Sequence, residues 1–163
     1  MPRLTKTSLR RGLDAAAEAD ADVARALAAV GYPELRRRDP GFATLLRAIV
    51  GQQLSVAAAA SIWGRIEAGL DPLTPDAFLA ADDATLRAMG LSIQKIRYGP
   101  SLSGLIADGS LDLHGLHKAG DDEAIEELIR IKGIGRWTAE VYILFALARP
   151  DAFPAEDLAL MVA

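Results

Sequence analysis

Apolar residues fall at helical spacing along almost the whole chain. From Leu13 to Val30 an alanine-rich run puts Leu13, Ala16, Ala17, Val23, Ala26, Leu27 and Val30 on one candidate buried stripe, closed by Gly31. Phe42, Leu45, Leu46, Ile49 and Val50 define a second helix. Gly51-Gln52-Gln53-Leu54 interrupts it, and Ser55 is a good cap for a third, carrying Val56, Ala59, Ile62, Trp63 and Ile66. Thr74-Pro75 reads as a cap and a first helical residue. Asp82-Asp83 opens a short helix ending at Gly90, and Ser92 caps the next. Pro100 either kinks that helix or moves its start downstream of Ser92. After a loop-like stretch from Ala107 to Gly120, Ile125, Leu128, Ile129 and Ile131 recur at helical spacing, and so do Ala139, Tyr142, Ile143 and Ala146. A last apolar helix is expected to start at Glu156. With no convincing alternating strand, internal repeat or low-complexity linker, the pattern predicts one all-α domain, 1–163, with short connections.

Composition narrows the class. The chain has 163 residues, 51% apolar and 6% aromatic, enough for one domain with its own core. No run reaches the ~18 apolar residues of a membrane span, and no apolar signal segment follows the basic N-terminus, so a cytoplasmic location is expected. The absence of cysteine excludes disulfides, Cys-based zinc sites and cysteine-ligated iron–sulfur clusters. His114 and His117 show no further partners in a metal-ligand pattern and read as ordinary loop residues.

The net charge of −4 argues against a generic polyanion binder, but its distribution softens this. Asp121, Asp122, Glu123, Glu126 and Glu127 fall in the first turns of one helix, where the helix dipole favours them. Arg130, Lys132 and Arg136 gather at the turn that follows. Arg36-Arg37-Arg38 reads as a solvated helix end.

That turn carries the most chemistry. Leu128 to Ala139 reads L-I-R-I-K-G-I-G-R-W-T-A. Two glycines around one apolar residue make a tight helical hairpin, in which glycine is expected to take positive φ. Amides at the start of the second helix then favour a phosphate, gripping DNA backbone without reading its sequence. Downstream lies the acidic pair Glu156-Asp157. Backbone grip plus one carboxylate outlines a base-removing enzyme. Plainer readings stand beside it: Asp157 as a helix N-cap, Trp137 as a core tryptophan, and Gln52-Gln53 as a polar break that caps backbone groups.

Four segments in order, A-I-V-G-Q-Q-L-S-V-A-A-A (48–59), M-G-L-S-x-Q-K (89–95), G-I-G-R-W-T-A-E (133–140) and D-A-F-P-A-E-D-L-A-L (151–160), resemble the helix-hairpin-helix DNA glycosylases. More narrowly, they resemble the bacterial alkylation-repair branch of the 3-methyladenine-DNA glycosylase II type. The resemblance implies two helical subdomains flanking a cleft: 41–150 carrying the hairpin, and 8–40 plus 151–163 forming the second. It also implies further helices beyond Ala163, so the chain is expected to be a C-terminally shortened form.

The same resemblance implies Asp157 as the catalytic carboxylate and the amides of Gly133, Gly135, Arg136 and Thr138 as phosphate ligands. It implies Gln53, with Gln52 beside it, as the wedge that fills the gap left by an extruded base. Trp137 becomes a wall of the base pocket, joined by Tyr142, since Val141 stands where some relatives are aromatic. Carbonyls of Ile129, Ile131 and Ile134 are implied as holders of a monovalent cation bridging to DNA. No other cofactor is required, no side-chain metal site is expected, and no obligate protein partner is evident. The implied partner is damaged double-stranded DNA, met at the nucleoid.

The implied reaction is hydrolysis of the N-glycosidic bond of alkylated purines such as 3-methyladenine or 7-methylguanine, opening base-excision repair after the base is flipped out. These bases are cationic, leave readily, and are drawn to aromatic faces by about 0.5–2 kcal/mol. One carboxylate near the sugar then suffices. Strand-cutting relatives carry a lysine where Trp137 stands. Tryptophan cannot form a Schiff base, so a monofunctional enzyme is expected. The alternative is a non-catalytic DNA-binding module built on the same hairpin.

Overall fold

A computed structural model describes residues 3–162; Met1, Pro2 and Ala163, the ends of the expected domain, lie outside them. The described residues form α1 (Lys6–Ala19), α2 (Ala21–Val30), α3 (Phe42–Gly51), α4 (Val56–Gly69), α5 (Pro75–Ala80), α6 (Asp83–Ala88), α7 (Ile93–Ala107), α8 (Asp121–Ile129), α9 (Arg136–Phe145) and α10 (Leu158–Met161). A 3-10 turn at Gly115–His117 crosses the stretch expected to be a loop. No strand occurs among the described residues, so the molecule is all-α, as the hydrophobic pattern predicts. Nor is any helix among them long and apolar enough to cross a membrane.

Local chemistry fixes the helix starts. Ser55, Thr74, Asp82 and Ser92 each accept the backbone N–H three residues on, opening α4, α5, α6 and α7. Such a cap contributes about 1 kcal/mol. Burial then decides the rest. Leu45, Leu46, Ile49 and Val50 of α3 are fully enclosed, together with Ile66, Leu102, Leu128 and Ile143 from α4, α7, α8 and α9. Trp63 is a core residue, as its place in the α4 pattern predicts. Phe78 of α5 lies directly on α7 at Gly99, where any Cβ would be driven into the ring.

Helix α7 starts at the Ser92 cap and runs on through Pro100. Ile96 and Gly99 are buried before the proline and Leu102 and Ser103 after it, so packing holds the helix where local propensity would break it.

The N-terminal region departs from the pattern. The run expected as one helix is two, because Asp20 leaves helical geometry (φ −138°, ψ 118°) and its side chain accepts the Asp22 amide. Local side-chain bonding by aspartate beats the alanine-rich propensity here. Nor is the stripe buried: no residue of α1 or α2 is, and Val30 is 84% exposed. The two helices pack chiefly on each other. Arg36-Arg37-Arg38 lies in irregular backbone rather than at a helix end. At the other terminus α10 starts at Leu158, leaving Glu156 outside it.

One buried ionic knot went unseen in the sequence. Arg149 is 3% exposed, yet it pairs with Asp121 at 2.9 Å and donates to the carbonyls of Leu116 and Ala119. It fastens the end of α9 to the start of α8. Asp121 is therefore more than a dipole-matching acid.

Candidate functional site

Between α8 and α9 the chain turns through Gly133 at φ +89°. A side chain there would suffer both the left-handed backbone and a collision with the Tyr98 ring. Gly135 differs from the expectation. Its φ is −90°, open to any residue, and a Cβ would meet nothing within 4 Å. Nothing inside the molecule demands glycine at this position.

Gly135 is also the N-cap of α9 and supplies no side-chain cap. The first amides of a helix have no intrahelical partner. Among the described residues no backbone or side-chain acceptor takes the amides of Gly133, Gly135, Arg136 or Thr138. The site offers four outward donors at the positive end of a helix dipole. The basic cluster beside them is partly neutralised: Arg136 pairs with Glu140 at 2.9 Å, and Arg130 pairs with Glu127.

On the carbonyl side, the Ile131 oxygen accepts the Ile134 amide at 3.0 Å. No backbone N–H among the described residues reaches the oxygens of Ile129 or Ile134. Hard carbonyl oxygens with free lone pairs are the donor type an alkali cation takes, so these residues fit one. No group of three or more His, Asp or Glu among the described residues could hold a metal ion.

A cavity of about 460 Å³ opens between α3 and α9, lined by Arg38, Gln52, Gln53, Trp137, Thr138 and Tyr142 among others. Trp137 is 41% exposed and faces this space rather than the core. Its Nε1–H donates to Asp157 Oδ2 at 2.9 Å, while Asp157 Oδ1 accepts the Ala159 amide at 2.9 Å and caps α10. Asp157 is thus the helix N-cap its local sequence suggests, and its other oxygen is held by the indole at the cavity's edge. Tyr142 is buried, and its hydroxyl accepts the Gly41 amide at 2.9 Å. Burial pushes its phenol above the usual range, so it stays protonated.

The loop after α3 is braced from two sides. Gln52 Nε2 donates to the Gly133 carbonyl at 2.6 Å, tying loop to hairpin. Lys95 Nζ donates to the carbonyls of Val50 (2.7 Å) and Gln52 (2.9 Å), satisfying the end of α3. Desolvation lowers the Lys95 pKa. Between these braces Gln53 is exposed in left-handed backbone, φ +57°. It lines both the cavity between α3 and α9 and a second of about 180 Å³ at the start of α7. The sequence paired Gln52 and Gln53; the structure divides them into buttress and protruding tip. Lys95 was visible only as a letter in a motif, and Arg38 only as part of a basic run.

A family model described as HhH-GPD superfamily base excision DNA repair protein matches residues 46–162. The chain belongs to the HhH-GPD superfamily. Among relatives, DNA-3-methyladenine glycosylase 1 of Schizosaccharomyces pombe is 34% identical over 131 residues, covering 77% of this chain and 57% of the relative. DNA-3-methyladenine glycosylase 2 of Escherichia coli is 32% identical over 124 residues, covering 69% of this chain and 43% of the relative. The chain therefore spans less than two thirds of these proteins. A solved 3-methyladenine DNA glycosylase from S. pombe, in complex with abasic DNA, superposes with a TM-score of 0.71 at 31% identity, covering 86% of this chain and 71% of that one. A DNA-3-methyladenine glycosidase from Bacillus halodurans gives a TM-score of 0.72 at 36% identity, covering 77% and 59%. The HhH-GPD fold, two clusters of helices around the hairpin's cleft in the resemblance above, is thus the fold of this chain.

Proposed function

We propose that this HhH-GPD protein is a monofunctional DNA glycosylase that hydrolyses the N-glycosidic bond of alkylated purines in duplex DNA. The observation that carries the proposal is the Trp137–Asp157 hydrogen bond at the edge of a cavity of about 460 Å³. It puts one carboxylate, oriented by an indole, beside an aromatic wall. The flanking phosphate sits on the free amides of Gly133, Gly135, Arg136 and Thr138. Gln53 enters the stack as the base leaves it, and the base rests against Trp137. A monovalent cation on the carbonyls of Ile129, Ile131 and Ile134 supplies extra positive charge toward the phosphate when bound.

Asp157 then faces the sugar. Positive charge grows at C1′ as the bond to the base breaks, and a fixed carboxylate stabilises it. Asp157 also orients the water that bonds to C1′ and takes up its proton. A cationic base carries the bonding pair away and leaves neutral, so no acid is needed. No lysine stands at the position of Trp137, so the strand stays intact.

The test is to incubate the protein with methylated duplex DNA, chromatograph the released bases and assay strand breaks. Free 3-methyladenine or 7-methylguanine with intact strands is expected. DNA binding without base release would establish the non-catalytic module instead.

A further inference from the structure

The two ends of α3 have different surroundings. At its C-terminal end Gln52 bonds to the hairpin, where the duplex is proposed to lie. Its N-terminal end is about 14 Å away, the rise of a helix of this length. A cavity of about 500 Å³ opens at that far end, lined by Arg37, Asp39, Thr44, Arg47, Trp63 and Glu67 among others. Arg37, Arg47, Trp63 and Glu67 do not line the cavity between α3 and α9.

The groups here are donors without acceptors. Gly41 caps α3 with no side chain, and no acceptor among the described residues takes the amides of Ala43 or Thr44. These amides form the positive end of a helix dipole. The Thr44 hydroxyl donates to the Asp39 carbonyl at 2.6 Å, which ties the arginine-bearing segment to this helix end. The Arg47 guanidinium lies over the Trp63 ring, 5.5 Å from its centroid. Neither Arg37 nor Arg47 has an ion-pair partner among the described residues. Trp63 is 4% exposed, yet its Nε1–H has no acceptor among the described residues either. A buried donor is normally satisfied, by the fold or by something bound to it.

Helix amides beside guanidinium groups are the chemistry that holds a phosphate. A phosphate alone would fill only part of this volume. The rest of the lining includes Asp39 and Glu67, which also lack ion-pair partners among the described residues. Two carboxylates would repel a bare anion, but they accept from hydroxyl or amino groups. A ligand matched to both halves carries a phosphate at one end and such donors at the other.

We propose that the cavity at the N-terminal end of α3 is a second ligand site, which binds a phosphomonoester of nucleotide size. Its phosphate lies on the amides of Ala43 and Thr44 and on Arg37 and Arg47, and its hydroxyl or amino groups face Glu67. The site stands apart from the base-excision reading, and its failure leaves that reading untouched.

The chain has two tryptophans, so ¹H–¹⁵N spectra of the full protein carry two indole N–H signals. Trp137→Phe serves only to show which belongs to Trp63. Deoxyadenosine monophosphate is expected to move the Trp63 signal saturably. Inorganic phosphate is expected to move it at higher concentration, and sodium chloride of equal ionic strength to leave it in place. Arg37→Ala, in exposed irregular backbone, is expected to weaken nucleotide binding about tenfold, the loss of one charge-assisted hydrogen bond. An unmoved Trp137 signal in that variant checks that the fold is kept. Glu67→Gln is expected to tighten inorganic phosphate by removing a like charge, and to narrow the preference for the nucleotide. No saturable movement, an equal response to chloride, or unchanged affinity in Arg37→Ala would overturn the proposal. So would movement of the Trp137 signal instead, which places the nucleotide in the other cavity. Displacement of the nucleotide from Trp63 by a short duplex would assign the site to DNA backbone and likewise overturn it.

Discussion

At the scale of single residues, the site uses side chains twice. Asp157 caps a helix with one oxygen and holds Trp137 with the other, so a residue whose local sequence reads as a cap also orients an indole at the cavity. Tyr142 lines the cavity and anchors the backbone at Gly41. Its buried phenol has a raised pKa in the folded state. The protonated form is therefore favoured by folding. The stability it contributes is complete below the unfolded phenol's pKa of about 10 and is lost as pH climbs through the folded value. Urea unfolding measured from pH 8 to pH 11 is expected to show this alkaline decline, and Tyr142→Phe is expected to flatten it. An unchanged decline in the variant would assign it to other groups.

At the scale of elements, the hairpin separates two kinds of glycine. Gly133 serves the fold, since its φ is positive and Tyr98 fills the space a side chain would need. Gly135 has ordinary backbone and open surroundings, and the proposed function gives its smallness a use, close approach of a phosphate. Gly133→Ala is expected to cost about 1–3 kcal/mol of stability, as left-handed strain and overpacking do. Gly135→Ala is expected to leave stability within about 0.5 kcal/mol, as surface changes do, while weakening DNA binding about tenfold or more. Denaturant curves and fluorescence anisotropy on one duplex check both. Equal effects on stability would contradict the division.

The helices of the core were legible in the sequence because caps and periodicity agree there: Ser55, Thr74, Asp82 and Ser92 all open the helices expected of them. The α1–α2 break was not, because Asp20 reads as one more polar residue on an alanine-rich helix until its side chain is seen on Asp22. The hairpin turn was legible from its glycine, and Asp157 from its fitness as a helix cap. Arg149, Lys95 and Arg38 were not, since each acts on backbone or cavity far away in sequence, where no local pattern points.

At the scale of the whole molecule, an acidic chain is asked to hold DNA. The formal charge is −4, and two of the three bases at the hairpin turn are already paired with acids. The proposed DNA binding then depends on oriented amides more than on cations. Because counterion release follows the number of phosphates neutralised by lysine or arginine, the slope of log K against log salt is expected to be shallow, about −2 to −4. Anisotropy titrations from 50 to 200 mM salt measure it, and a slope near −10 would mean a basic face that these residues do not form. The central claim is that Asp157, fixed by Trp137 beside the cavity, performs the hydrolysis. It is tested most directly by single-turnover release of 7-methylguanine by the parent and by Asp157→Asn, which keeps a good helix cap and the same shape. The account predicts a fall of about 100-fold or more, the usual loss when one electrostatic stabiliser is removed, with folding and DNA affinity retained. Release at the parental rate would contradict it.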